Sequence, residues 1–212
     1  MESAFWRARW AEHKIGFHEG HPNAFLETHI ARLDGRYRIL VPLCGKTEDL
    51  AFLAASGHAV VGVELVEDAA VQFFAEHSIV PTVERHPDYV IYKHDELIVI
   101  SGDWFAMTPA IVGHVDGVYD RAAIIAMPPA MRPKYVAQLQ SLVTPGAWGI
   151  VIGLEYPDGM FDGPPFPVGE AEIRGYYGAV EVLGESANQA GRMAALGVPA
   201  MERCYAVQIS PG

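Results

Sequence analysis

Three short stretches carry residue types that can do chemistry, at spacings that can bring them together. Pro42-Leu43-Cys44-Gly45-Lys46 closes an apolar run and leads with a single glycine into Thr47-Glu48-Asp49. Such a turn presents backbone N–H groups at a helix N-terminus, where they can meet a carboxylate or phosphate; it serves equally as a plain connection. Glu64 ends a second apolar run about twenty residues further on, the separation at which an acidic side chain reaches the vicinal hydroxyls of a ribose. Read otherwise, it is an exposed Glu at a strand end. Gly102-Asp103-Trp104-Phe105 follows a third run, and there an Asp can accept from an exocyclic amine while an aromatic ring covers a purine. The first turn lacks the G-x-G-x-x-G glycines that let a backbone approach a dinucleotide pyrophosphate, which favours a ligand smaller than NAD.

Other candidates are weaker. His13, His18, His21 and His29 crowd the N-terminal segment with Glu12, Glu19 and Glu27, but their spacing matches no established metal-ligand pattern, and no metal is expected. Cys44 has no legible histidine partner and reads as a small residue fitting a tight turn. Met127-Pro128-Pro129-Ala130 lacks the flanking polar and aromatic groups that grip a target nitrogen, so methylation of bases is not expected from it.

The elements that must position these residues follow from periodicity. From residue 38 onward short apolar runs alternate with amphipathic stretches: strands at Arg38–Leu43, His58–Glu64, Leu97–Ser101, Asp116–Asp120 and Ala147–Leu154. Helices are predicted after the Thr47 cap up to Gly57, over Asp68–His77, Pro133–Leu142 and Glu170–Tyr177. The alternation around Tyr89, Ile91 and Lys93 suggests a hairpin partner for the third strand. Val180–Leu183 and Arg203–Ile209, with only a loop between them, read as antiparallel neighbours at one edge. The class is α/β, a Rossmann-like, mostly parallel sheet with helices on both faces, whose ligands bind beyond the carboxyl ends of the strands.

Composition narrows the partners. A 212-residue chain that is 50% hydrophobic can bury one sizeable core, so residues 1–212 are expected to form a single domain. A formal charge of -11 with singly scattered Lys and Arg argues against nucleic acid, which demands a basic stripe. No apolar run approaches the roughly 18 residues of a membrane span, and the N-terminus has no signal-like apolar core. Two cysteines in a chain of this size suit free thiols in a reducing cytoplasm.

Turn, Glu64 and Asp103 at successive strand ends fit an adenosine laid across the sheet with an anionic-ended tail, the pattern of an S-adenosylmethionine site. Beyond these, Phe5-Trp6 with Trp10, Ile15-Gly16-Phe17-His18, Leu40 to Lys46, Gly57 to Glu64, Tyr119-Asp120-Arg121-Ala122-Ala123 and Gly163-Pro164-Pro165-Phe166 resemble the thiopurine S-methyltransferase family, in the family's order over about residues 5 to 205. The resemblance implies a seven-stranded sheet (38–212) with an N-terminal helical lid (1–37) over the cosubstrate. It implies that Trp6, Trp10, Leu43, Gly45, Glu64 and Arg121 contact S-adenosylmethionine, that Asp103 and Trp104 lie on the adenine side, and that Phe17 and Phe166 face the acceptor. The acceptor so implied is a small thiol, thiopurine or selenium or tellurium species, methylated in line by a monomer that releases S-adenosylhomocysteine. If the acceptor needs deprotonation, Asp120 is the candidate catalytic base, with Arg121 orienting cosubstrate or acceptor. An NAD-type oxidoreductase and a non-catalytic S-adenosylmethionine-binding protein stand as alternatives.

Overall fold

The computed structural model describes residues 3–12, 18–188 and 191–209. Among these residues nine strands form one sheet: β1 (Arg38–Pro42), β2 (Ala59–Glu64), β3 (Thr82–Arg85), β4 (Tyr89–His94), β5 (Leu97–Gly102), β6 (Gly117–Asp120), β7 (Trp148–Glu155), β8 (Val180–Asn188) and β9 (Ala200–Gln208). Their order is β3-β4-β5-β2-β1-β6-β7-β9-β8. The five central strands, β5 to β7, run parallel. β9 pairs antiparallel with β7 and with β8 at one edge. At the other edge the predicted hairpin is present and adds two strands, β4 pairing antiparallel with β5 and β3 with β4. The expected count of seven is thereby corrected to nine, because β4, the expected hairpin partner, is followed outward by β3, whose exposed residues Thr82–Arg85 give no apolar signal.

Among the described residues eight α-helices accompany the sheet: α1 (Ser3–Ala11), α2 (Ala24–His29), α3 (Asp49–Ala55), α4 (Glu67–Glu76), α5 (Pro109–Val112), α6 (Arg132–Leu142), α7 (Glu170–Tyr176) and α8 (Gly191–Ala195). Alternate residues of each parallel strand point to opposite faces and are buried on both. Ile39, Val41, Val60, Val99, Ile150 and Ile152 pack with Leu26, Leu50, Leu53, Phe73 and Phe74 of α2, α3 and α4. Leu40, Val61, Val63, Ile100, Val118 and Val151 pack with Tyr135, Val136 and Leu139 of α6 and Ile173 of α7. Burying such side chains stabilises the fold by roughly 1.5–3 kcal/mol each before the entropy of ordering is subtracted.

Two local expectations change. The last two strands are joined through α8, not by a loop alone, and β8 extends five residues past the expected Leu183, to Asn188. The N-cap position of α3 is Glu48, and Thr47 supports the same turn by accepting from the Asp49 N–H at 3.3 Å.

From β1 the chain runs through β2 towards the β5 side of the sheet, then crosses back from β5 to β6 on the other side of β1. That reversal opens a crevice beyond the carboxyl ends of β1, β2 and β6. Gly62 keeps it compact: a Cβ there would lie 2.7 Å from Cys44 Sγ, so only glycine lets the turn after β1 settle against β2.

Candidate functional site

A cavity of about 290 Å³ occupies that crevice. Its walls come from four strand ends and from α1 and α6: Leu43 after β1, Glu64 and Leu65 at the end of β2, Asp103, Trp104 and Phe105 after β5, Ala122, Ala126 and Met127 after β6, and Trp6 and Trp10 of α1. Met131 and, from α6, Lys134 complete it. The lining is mostly apolar with a few polar groups at fixed points, and its volume is at the lower end of the ~300–1,000 Å³ typical of small-molecule sites.

Each polar group is held from behind. Glu64 is buried, with Oε2 accepting from the Gly45 N–H at 2.9 Å and Oε1 from the Val66 N–H at 2.8 Å. Burial raises the Glu64 pKa, opposed by the Val66, Gly45 and Leu65 N–H groups. Asp103 Oδ1 caps the short turn Trp104–Ala106 by accepting from the Phe105 N–H at 3.0 Å. Gln138 of α6 donates to the Trp104 and Met107 carbonyls at 3.1 and 2.7 Å and pins that turn. Trp104 is buried against Tyr135 with ring centroids 5.5 Å apart, and its indole N–H has no hydrogen-bond partner among the described residues. Lys134 Nζ lies 4.4 Å from the Phe105 ring centroid, within cation–π range. On the open side, α1 packs Trp10 against Val66 and Ala69.

Leu43 (φ 48°) and Ala122 (φ 60°) both adopt left-handed backbone although neither is glycine. Such residues cost about 1–2 kcal/mol each and persist where surrounding structure holds them, commonly at functional sites. Both border the cavity, and both also border a second, small recess lined by His18, Cys44, Lys46, Thr47, Asp49, Tyr119 and Arg121.

In the recess, Arg121 pairs with Glu19 Oε1 at 2.5 Å and lies 4.0 Å from Asp49 Oδ2. Burial works against its charge, but Glu19, Tyr119 and Asp49 outweigh that and raise its pKa. Asp49 is fully buried and accepts from the Asn23 N–H (2.7 Å), the Thr47 hydroxyl (3.0 Å) and the Tyr119 hydroxyl (3.0 Å). Burial raises the Cys44 pKa well above the usual thiol range, with Glu64 adding to the effect, so the thiol stays protonated.

Of the residues nominated from sequence, Trp6, Trp10, Leu43, Glu64, Asp103 and Trp104 therefore meet around one cavity, with Gly45 directly behind Glu64. Arg121 faces the recess and not the cavity. Asp120 reaches neither: it is fully buried, its oxygens taken by the Ile124 N–H (3.0 Å) and the Tyr135 hydroxyl (2.7 Å). Phe166 lies outside the cavity wall; its N–H donates to the Ile125 carbonyl at 2.6 Å and its ring packs on Gly163. Phe17 falls outside the described residues. Sequence reasoning missed Asp49 and Tyr119, which are far apart in the chain, as well as Met131 and Lys134. The one available signal for Asp49 was its place three residues after Lys46, in the first turn of α3. Among the described residues, no group of three or more His, Cys, Asp or Glu is placed to hold a metal ion, and no helix is long and apolar enough to cross a membrane.

The chain matches the thiopurine S-methyltransferase family profile over residues 1–206. It is 43% identical over 179 residues to a thiopurine S-methyltransferase of Pseudomonas aeruginosa (strain UCBPP-PA14), covering 84% of this chain and 82% of that protein. It is 39% identical over 220 residues to one of Pseudomonas putida (strain GB-1), covering 98% and 100%. Among solved structures, an S-adenosylmethionine-dependent methyltransferase from Archaeoglobus fulgidus superposes with a TM-score of 0.58 at 13% identity, covering 87% of this chain and 91% of that one. The Burkholderia thailandensis 1,6-didemethyltoxoflavin-N1-methyltransferase, with 1,6-didemethyltoxoflavin and S-adenosylhomocysteine bound, does so at 0.54 and 16%, covering 88% and 76%. At these identities the solved structures carry the fold alone, whereas the family match sets aside both the oxidoreductase and the non-catalytic reading. The chain belongs to the thiopurine S-methyltransferase family and is an S-adenosylmethionine-dependent methyltransferase.

Proposed function

We propose that this enzyme methylates the sulfur of a thiopurine or aromatic thiol, or a selenium or tellurium relative, with the cosubstrate in the 290 Å³ cavity. The observation that carries the placement is Glu64: a buried carboxylate at the end of β2, fixed by two backbone N–H groups and opening onto a mostly apolar wall. Each oxygen keeps a lone pair for a ribose hydroxyl. Asp103 spends one oxygen on its own cap and offers the other to an exocyclic amine, while Trp104 and Phe105 supply flat apolar surface for a purine. Trp6 and Trp10 exclude water and present π-faces to a cation. The residues present fit S-adenosylmethionine in size, polarity and charge.

Bound S-adenosylmethionine supplies a methyl group on a sulfonium, already activated for displacement. The chain's own work is alignment and desolvation. In this reading Phe166 stands on the acceptor side, the role the family resemblance also implies for Phe17, and Arg121, held by Glu19, lines the recess beside it. Asp120 acts as a positioning residue: by holding the Ile124 N–H it shapes the turn that carries Ala122 and Ala126 into the wall. Aromatic thiols and selenols ionise readily, so no strong base is required. The same reading treats residues 1–212 as one domain, with 1–37 as lid, working as a monomer in a reducing cytoplasm.

Calorimetry with S-adenosylhomocysteine, followed by turnover with thiophenol, benzeneselenol, aniline and phenol as a matched series, tests the reading. Transfer to sulfur and selenium only is expected. Comparable transfer to the nitrogen of aniline would overturn it.

A further inference from the structure

The charge balance around Arg121 bears on which acceptors the enzyme accepts, an inference that rests on the methyl-transfer reading above. Arg121 is the obvious group to attract an anion, yet its side chain is only 12% exposed and its guanidinium already faces two carboxylates of this chain. Glu19 touches it at 2.5 Å and Asp49 stands at 4.0 Å. Asn23 ties the two together, its N–H on Asp49 and its side-chain amide 3.5 Å from Glu19 Oε2. The other cation of the recess, Lys46, is spent on Glu76 Oε1 at 2.5 Å. His18, facing Lys46, Glu76, Glu48 and Arg121, has its pKa lowered by burial first and Lys46 second, so it adds no positive charge near neutral pH. Glu19, Asp49 and Glu76 thus take up the two cations, with the charges of Glu48 and Glu202 further out. Only Glu19 among them is both in direct contact with Arg121 and partly exposed, at 29% of its side chain.

We propose that Glu19 is a specificity-determining residue that reserves the site for acceptors with no anionic group besides the reacting atom. Neutral aryl thiols enter freely, whereas thiols bearing a carboxylate, and oxyanions, must either displace Glu19 from Arg121 or lie against surplus negative charge. Repulsion between like charges a few ångströms apart near a protein surface is large enough to shift binding by a factor of ten or more.

The test compares the full-length enzyme with Glu19→Gln, using thiophenol and 4-mercaptobenzoate. Glu19→Gln is expected to lower KM for 4-mercaptobenzoate by about tenfold and to leave KM for thiophenol unchanged. Calorimetry of 4-mercaptobenzoate on the S-adenosylhomocysteine complex, which needs no turnover, is expected to show the same tightening. Equal changes for both thiols, or a change confined to S-adenosylhomocysteine affinity, would overturn the proposal by assigning Glu19 to general architecture or to the cosubstrate. A wild-type enzyme that binds S-adenosylhomocysteine but methylates neither thiol would instead defeat the sulfur-acceptor reading, while the calorimetric comparison would still report on Glu19.

Discussion

The Glu64 carboxylate accepts from the Gly45 N–H at 2.9 Å, so the end of β2 fixes the turn that leaves β1. One side chain thereby shapes the cavity and offers itself to a ligand. Replacing it by Gln puts an amide donor against a backbone donor on one of its two oxygens. Hydrogen bonds to a charged acceptor contribute about 1.5–3 kcal/mol each. Glu64→Gln is therefore expected to weaken S-adenosylhomocysteine binding by about tenfold or more, read by calorimetry, and to lower the unfolding midpoint. Unchanged affinity would show that the ligand does not use this carboxylate.

Asp120 has a definite pH signature. Burial raises its pKa from 3.8 to about 6, against the pull of the Ile124 N–H, the Tyr135 hydroxyl and the Ala123 N–H. Between those values the folded protein holds a proton that the unfolded chain has lost. This contribution to stability is accordingly full below about pH 4 and lost as pH rises through about 6, in total roughly 3 kcal/mol. Asp120→Asn is expected to remove that dependence, so urea unfolding of variant and wild type should converge at pH 4.5 and diverge in the variant's favour at pH 7. Turnover in Asp120→Asn should persist, since the carboxylate reaches no cavity; abolished turnover in a folded variant would restore it as a base.

How much of this was legible beforehand depends on how far apart the interacting residues lie. β1, β2 and β5 are buried on both faces, so they stand out in the sequence as unbroken apolar runs, and Glu64 could be picked out by its distance from the Pro42–Lys46 turn. β8 is largely exposed and alternates weakly, so only its first four residues were recognised. Asp49 was invisible for a different reason. In sequence it is an acid in the first turn of a helix, a common partner of the helix dipole. Its role appears only when folding brings Asn23, 26 residues before it, and Tyr119, 70 residues after it, onto the same carboxylate. Asp120 was legible as a strand-end acid, but its direction was not, because nothing local reveals that Tyr135 draws it inward.

Gly163 tests the proposed acceptor-side role of Phe166, since neither residue lines the cosubstrate cavity. Its φ is +69°, and a Cβ there would fall 2.4 Å from the Phe166 ring. Gly163→Ala must therefore displace Phe166 and strain the backbone, at a cost of about 1–3 kcal/mol. The expected outcome is a clear rise in acceptor KM with S-adenosylhomocysteine affinity preserved. Parallel loss of both would place Phe166 in the support of the whole site.

Cys44 and Cys204 are buried free thiols. Burial pushes the Cys204 pKa up to about 12 and, with Glu64 adding to it, also holds that of Cys44 well above the usual thiol range. Neither is a thiolate at neutral pH. An aromatic disulfide reagent is expected to label neither within minutes in the native enzyme and both after denaturation. Rapid native labelling of Cys44 would mean that the turn opens readily.

Arg132 binds the Met127 carbonyl, the Pro167 carbonyl and Glu172 at 3.1, 2.8 and 2.7 Å, while Phe166 holds the Ile125 carbonyl. The turn after β6 and the loop before α7 are thus laced to one another across about forty residues of chain. Neither segment can drift in sequence alone. Lineages that retune the acceptor pocket are expected to inherit changes in both segments together, and a loop transplanted without its partner turn should arrive mispositioned.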